Sequence, residues 1–370
     1  MDTKKLMIVT NIPNQYRIPL FNALQKQLTE IGVELLVVFG AQSLHSRKSI
    51  VNLDHLGFSY HLLSSSNSSG KLIFYTGLSR LILKEKPDAL IVGGFSIPAI
   101  KATILKLFIP FQFIIWTGSF ESNRNSIPTI KKVLRKWLFK KADHWLAYSN
   151  STKKYLLNCG VSEQKVKVIG NTVDTHFFSE ETSKERDKVI QSDRKVLTYI
   201  GYLTARKDVA KILETAKALL ELRSDFFLQI IGDGPEKSRL EQLVKTHGLS
   251  DVVSFEGFKQ KEELPFYLAK TDAFLFQTSF DIWGLVLNEA MAASVLCFSS
   301  KFAGAAQDLI KDGINGYVVN FENANESARK IHAALEDEER CKRMAKKGAE
   351  TIKEEYTLAN CAKKMISILQ

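Results

Sequence analysis

A repeated rhythm restricts the fold more than any other feature of this chain. Short, almost wholly apolar runs alternate with amphipathic helical patterns, and the rhythm restarts near residue 196. In the first half the runs are LMIVTN (6–11), VELLVVFG (33–40), DALIVGG (88–94), FQFIIWTG (111–118), HWLAYS (144–149) and KVKVIGN (165–171). Between them lie helical stripes: Leu20, Leu24 and Leu28, then Leu78, Leu81, Ile82 and Leu83, then Ile130, Val133, Leu134, Trp137 and Leu138. A strand that is apolar throughout must be covered on both faces, and helices between successive strands cover a parallel sheet in that way. The second half repeats the pattern with VLTYIGY (196–202), FFLQIIG (226–232), VVSFEG (252–257), DAFLFQ (272–277), VLCFSS (295–300) and NGYVVN (315–320). At 370 residues the chain exceeds the ~250–300 residues at which single cores stop growing. The expected architecture is α/β: two Rossmann-like domains, residues 1–178 and 196–355. Between them Ser179 to Lys195 has two apolar side chains and reads as a charged linker. Domains of this kind bind ligands at the carboxyl ends of their strands, so a cleft between two such edges is expected.

Within that frame, Phe276 to Glu289 (FQTSFDIWGLVLNE) carries the chemistry. It runs from the end of a strand through a polar turn to Gly284 and then into helix formers. Free N–H groups and the positive end of the dipole make such a helix start an anion site, and glycine lets a diphosphate approach the backbone. Glu289 lies ~7.5 Å further along the axis, where its carboxylate suits ribose hydroxyls. Asp281, on the other side of the phosphate position, would face a sugar. The spacing fits an extended nucleotide-sugar. The same residues also suit an ordinary strand–turn–helix with a solvated Glu.

The frame from Asp281 to Ala292, D-x-W-G-L-V-x-N-E-A-M-A, resembles the E-x7-E signature of family-4 glycosyltransferases, with Asp281 in place of the usual Glu. Four more stretches resemble the family in order: Ile200 to Lys207 (its G-R-L-x-x-x-K loop), Ile231 to Glu236 (G-D-G-P-E), Val253 to Phe258 (V-x-F-x-G), and Ile314 to Tyr317. The resemblance implies the GT-B fold, with a final helix from about residue 356 to 370 crossing back to the N-terminal domain. It implies a sugar transfer with retention at the anomeric carbon, and a donor site formed by Gly201, Gly232, Gly257, Phe258, Trp283, Gly284, Leu285 and Glu289. Lys207 aligns with the lysine that stabilises the leaving diphosphate. The family arginine after the glycine is here Tyr202, and Arg206 is placed to supply that charge, or to sit solvated on its loop. Arg206, Lys207 and Asp281 are the expected catalytic residues. Asp233 reads as a turn cap. No D-x-D motif follows a strand, so no metal and no cofactor are expected.

The first half is expected to hold the acceptor. Asn11 to Phe21, directly after the first strand, resembles the acceptor-side loop of bacterial polysaccharide glycosyltransferases, with Tyr16 and Arg17 on it. An arginine there suits a phosphate on a lipid-linked or phosphorylated acceptor, or simple packing of the loop. The family often has a His after the strand that here reads FIIWTG. This chain has Glu121 nearby instead, a residue that also suits a solvated surface.

Charge adds a partner class. The net charge of +11 and pI near 9.3 favour an anionic partner. Ile127 to Lys141 has six basic residues and no acidic one, with Ile127, Ile130, Leu134, Trp137 and Leu138 as an apolar stripe. Such a helix suits an anionic membrane surface, and equally a sheet-covering helix with its lysines in water. A nucleic-acid partner has only charge in its favour, with no recognition motif. The four cysteines form no C-x-x-C pair, and Ile104 to Trp116 is too broken by Lys106, Pro110 and Gln112 to span a bilayer. No signal peptide is visible. The chain is therefore expected at the cytoplasmic face of the membrane, making bacterial surface polysaccharide. A different GT-B enzyme, such as a nucleotide-sugar epimerase, or a non-catalytic subunit of the same fold, stays open.

Overall fold

The computed structural model describes residues 4–42, 53, 56–63, 75–118, 129–189 and 193–369, with backbone alone for 129–134. The chain divides into two compact units, Met1–Val173 with Leu358–Gln370, and Asp174–Thr357.

In the first unit the elements are β1 (Lys4–Thr10), α1 (Ile18–Glu30), β2 (Val33–Phe39), β3 (Ser59–Leu62), α2 (Leu78–Glu85), β4 (Ala89–Gly93), α3 (Ile97–Leu105), β5 (Gln112–Thr117), α4 (Thr129–Lys141), β6 (His144–Ala147), α5 (Asn150–Asn158) and β7 (Val166–Val168). The strands form a parallel sheet in the order β3-β2-β1-β4-β5-β6-β7. Alternation along β1 shows why its apolar run is needed. Leu6 and Ile8 meet Leu20, Phe21, Leu24 and Leu28 of α1 on one face. Met7 and Val9 meet Leu78, Ile82, Ala99 and Ala102 on the other. Truncating one such leucine to alanine costs ~2–5 kcal/mol.

The second unit contains α6 (Thr175–Arg186), β8 (Lys195–Ile200), α7 (Ala210–Leu220), β9 (Phe226–Ile231), α8 (Lys237–Thr246), β10 (Val253–Gly257), α9 (Leu264–Ala269), β11 (Ala273–Phe276), α10 (Leu285–Ala292), β12 (Leu296–Ser300), α11 (Ala306–Leu309), β13 (Tyr317–Val319), α12 (Ala324–Leu335) and α13 (Glu338–Glu355). Its parallel sheet runs β10-β9-β8-β11-β12-β13. In each sheet the first strand lies inside and the order reverses beside it, the doubly wound arrangement. The final helix, α14 (Leu358–Ile366), returns to the first unit, where Cys361, Ala362, Met365 and Ile366 pack on the α1 face. Gln27 donates to the Ala359 carbonyl at 2.9 Å, and Gln112 to that of Ile368 at 3.0 Å.

Two expectations need correction, and one strand carried no sequence signal. The charged stretch 179–195 does not stand as a linker: its first part, to Arg186, is the C-terminal end of α6, inside the second unit, and the boundary falls at 173/174. Asp174 caps this helix through the Phe177 amide at 3.2 Å; Thr175, Phe178 and Thr182 form a narrow buried stripe, and Arg186 is tucked in to donate to the Ala293 and Ser294 carbonyls. β3, SYHL, has four exposed side chains at the sheet edge and so no apolar signature. On α4, Leu138 is buried and Trp137 packs against the core, while Arg135 lies 4.6 Å over the Phe95 ring and donates to the Tyr155 hydroxyl at 3.1 Å. The described end of that stripe therefore faces the sheet, and Arg135 is not a free surface cation. Lys136, Lys140 and Lys141 remain exposed. Among the described residues, no helix is long and apolar enough to cross a membrane.

Candidate functional site

The carboxyl edge of the second sheet is held by close backbone contacts that exclude side chains. Beyond β8 and β9, the Gly201 amide donates to the Ile231 carbonyl at 2.9 Å and the Gly232 amide to that of Gly257 at 2.8 Å. Gly232 has φ of 143°, and a Cβ there would sit 1.9 Å from the Gly201 oxygen. Any other residue would force the two loops apart. Asp233 accepts from the Gly234 amide at 2.9 Å, a turn cap as its sequence context suggests.

The loop after β8 carries Arg206 and Lys207 and is laced to the loop after β11. Ser279 donates its amide to the Arg206 carbonyl at 2.9 Å, and Arg206 Nη1 donates to the Phe280 carbonyl at 2.5 Å. Lys207 is 8% exposed; its Nζ donates to Asp281 Oδ2 at 2.5 Å and stands 4.6 Å over the Phe276 ring. Arg206 Nη1 lies 3.6 Å from the same Asp281 oxygen. Burial pushes the Lys207 pKa down, partly offset by the Asp281 charge. The loop bearing Asp281 is strapped in turn to residues after β12: the Asp281 amide donates to the Phe302 carbonyl at 3.1 Å, and the Gly304 amide to that of Asp281 at 3.0 Å. A Cβ on Gly304 would lie 2.2 Å from the Ile282 oxygen.

α10 begins at Gly284, whose φ of 99° and contact with the Phe276 ring exclude a side chain. No side chain caps its first turn, and no acidic residue lies there. This N-terminus offers open N–H groups beside Lys207 and its loop. On the fifth helical residue, the Glu289 carboxyl is partly exposed but accepts no hydrogen bond among the described residues. Burial pushes its pKa up to about 7, opposed by the charge of Lys261. A carboxyl so placed is an acceptor without a donor.

Profile comparison then separates this arrangement from the many other doubly wound proteins. Residues 21–177 match the family model described as Glycosyltransferase Family 4, and residues 180–351 that of Glycosyl transferases group 1. The chain is a family-4 glycosyltransferase of the GT-B fold. The enzyme is 28% identical over 183 residues to an alpha-D-kanosaminyltransferase of Streptomyces kanamyceticus, covering 50% of this chain and 47% of that one. It is 28% identical over 220 residues to the N-acetylgalactosamine-N,N'-diacetylbacillosaminyl-diphospho-undecaprenol 4-alpha-N-acetylgalactosaminyltransferase of Campylobacter jejuni, covering 59% of this chain and 57% of that one. In both, the matched stretch is about half of the relative's own length. The crystal structure of Anabaena Alr3699/HepE in complex with UDP superposes with a TM-score of 0.80 over 99% of each chain, at 17% identity.

In this glycosyltransferase Gly201, Gly232, Gly257, Gly284, Leu285 and Glu289 gather with Arg206, Lys207 and Asp281 at or beside one sheet edge, and Phe258 is half-exposed just past β10. Trp283 does not join them. Its side chain is 2% exposed, its Nε1 donates to Asn288 Oδ1 at 2.7 Å, and its ring packs on Tyr356, so only its backbone remains for a ligand. Sequence reasoning missed the Phe276 ring beneath Lys207, Lys261 as the cation facing Glu289, and the Gly304 strap, for which the small-residue run FAGAA was the available sign. A cavity of about 770 Å³ opens at the opposite edge of this sheet, lined by Lys195, Asp272, Glu338 and Lys342 among others, whose charges pair with one another.

In the first unit Arg17 is 8% exposed, stacked 3.8 Å over the Trp116 ring, and donates to the hydroxyls of Tyr16 at 3.3 Å and of Tyr148. Glu121 lies outside the described residues. Among the described residues no group of three or more His, Cys, Asp or Glu side chains could hold a metal.

Proposed function

We propose that this enzyme transfers a sugar from a nucleotide-sugar to a glycan or lipid-linked acceptor, with retention and without a metal ion, during bacterial surface polysaccharide synthesis. The observation that carries the reading is the uncapped start of α10 beside the buried Lys207 and the exposed Arg206, with Glu289 one turn further along. A nucleoside diphosphate fits it from end to end. Its ribose hydroxyls donate to Glu289, and its phosphates meet the α10 amides and the two cations.

In the reaction the acceptor hydroxyl oxygen bonds to the anomeric carbon as the bond to the β-phosphate oxygen breaks. The hydroxyl proton passes to the departing diphosphate, so charge and atoms balance. Negative charge grows on that phosphate, and fixed donors aimed there lower the barrier by ~3–4 kcal/mol each. Asp281 neutralises Lys207. An arriving phosphate competes for the ammonium and releases the carboxylate to accept from sugar hydroxyls.

UDP in the HepE crystal and the lipid diphosphate in the name of the Campylobacter relative support the donor and acceptor classes. Exposed Lys136, Lys140 and Lys141 on α4 supply a means of holding the enzyme peripherally on the cytoplasmic face of an anionic membrane. A panel of nucleoside diphosphates and nucleotide-sugars tests the donor reading by thermal stabilisation, followed by slow hydrolysis without acceptor. If none of them raises the melting temperature, the reading is wrong.

A further inference from the structure

The most apolar segment of the sequence begins at the end of α3, and the transfer of a sugar makes no use of it. Ala99, Ala102 and Leu105 turn inward and share a core with Leu78 and Ile82 of α2 and Leu138 of α4. Ile104, Leu107 and Phe108, spaced i, i+3 and i+4, form a second apolar stripe that turns outward; they are 47, 72 and 75% exposed. A helix apolar on both faces belongs in a core, yet here one face opens to water. The stripe is fixed by backbone bonds. The Leu107 amide donates to the Ile104 carbonyl at 3.1 Å, and the Phe108 amide to that of Leu105 at 2.9 Å.

The surroundings of the stripe are basic. α2, α3 and α4 each lead into a strand of the parallel sheet, so all three end at its amino edge, with α3 packed between the other two. The end of α2 presents exposed Lys84 and Lys86, and that of α4 presents exposed Lys136, Lys140 and Lys141. The nearby carboxylates are engaged already. Glu85 pairs with Lys5 at 2.7 Å, and Asp88 accepts from the Lys5 amide at 2.7 Å. Asp143 pairs with Lys106 and accepts from the Phe113 amide at 2.7 Å, which ties the Leu107 turn to the start of β6.

We propose that Leu107 and Phe108 form a wedge that inserts into an anionic lipid bilayer, with the flanking lysines on its headgroups. This rests on the reading of the enzyme as held peripherally at a membrane, and adds an apolar anchor to the lysines. Side chains so exposed stand proud of the surface and offer no groove in which a peptide or helix could lie. Apolar tips framed by cations meet the chemistry of a bilayer twice, acyl chains at the tip and phosphates at the rim.

Flotation of the full chain with vesicles of equimolar phosphatidylglycerol and phosphatidylcholine tests this. Leu107→Ser combined with Phe108→Ser should fold as the wild type does, since both sites are exposed. It should lose about 100-fold in partitioning, about tenfold for each side chain. At about 1 M salt, where the Debye length is ~3 Å, part of the wild-type binding should survive and that of the double variant should not. In Phe108→Trp the indole emission should shift to the blue on binding and be quenched by lipids brominated in their acyl chains. The proposal is overturned if the double variant floats as the wild type does, if that indole is neither shifted nor quenched, or if wild-type protein binds no vesicle. A wild-type dimer in solution that the double variant breaks also overturns it, because the stripe is then an interface between copies. The lysine reading fails separately: changing Lys136, Lys140 and Lys141 to Gln would then leave binding intact while the serine variant abolishes it.

Discussion

Replacing Glu289 by Gln is expected to stabilise the protein and impair its nucleotide site, with both effects dependent on pH. Burial raises this carboxyl from 4.5 to about 7, with Lys261 opposing. The folded state therefore holds the proton more tightly than the unfolded state. The stability this contributes is complete below about pH 4.5, falls as pH rises toward 7, and is level above that. A shift of roughly 2.5 units at about 1.4 kcal/mol each gives an upper value near ~3 kcal/mol. Gln has the same shape and no proton to lose, so the two proteins should match near pH 5 and differ by up to ~3 kcal/mol near pH 8. In a unit of this size that corresponds to ~6–12 °C in melting temperature. Calorimetric melts of both proteins between about pH 5 and about pH 8 measure the gap. Near the upper limit Glu289→Gln should also bind UDP roughly tenfold more weakly, since an ionised acceptor has been lost. Melting curves that run parallel across the whole range would refute the assigned environment of Glu289, whatever happens to UDP.

Lys207→Gln and Arg206→Gln should each lower kcat, by about 100-fold for the buried lysine, without reordering donor preference. Activity should persist in EDTA; a metal requirement or a switched donor would remove the assignment. Asp281→Asn leaves Lys207 without its carboxylate and should cost ~2–4 kcal/mol in urea denaturation. Gly232→Ala should destabilise by about 3 kcal/mol or more, because the carbonyl in its path is backbone and cannot swing aside. Changing Lys136, Lys140 and Lys141 together to Gln should weaken binding to anionic vesicles by ~1 kcal/mol per charge. If wild-type protein ignores such vesicles at low salt, the membrane clause fails.

Most of the strands were legible because buried parallel strands have little freedom in composition: LMIVT, FIIW and AFLF can hardly serve another purpose. Edge position hid β3, whose SYHL faces water on all four side chains. α6 was misread because three buried side chains suffice to dock a helix whose other positions are charged, and composition averages over that stripe. Glu289 and Lys207 could be placed from a strand–loop–helix frame, since backbone geometry sets their positions. Trp283 could not, because a loop indole faces ligand or core according to partners distant in sequence, here Asn288 and Tyr356. The Arg17 cluster is of that kind as well. Its cage is assembled from residues 16, 116 and 148, a grouping that only the sheet order creates.

The return of α14 sets the order in which this protein can mature on the ribosome. The α1 stripe of Leu20, Phe21, Leu24 and Leu28 leaves the exit tunnel early, yet Cys361, Ala362, Met365 and Ile366, which also pack there, are translated after the whole second unit. The first unit to emerge is thus the last to close, and its greasy flank must wait through the synthesis of its neighbour. Nascent chains stalled short of residue 358 would already hold both sheets and still present that flank to chaperones and to one another.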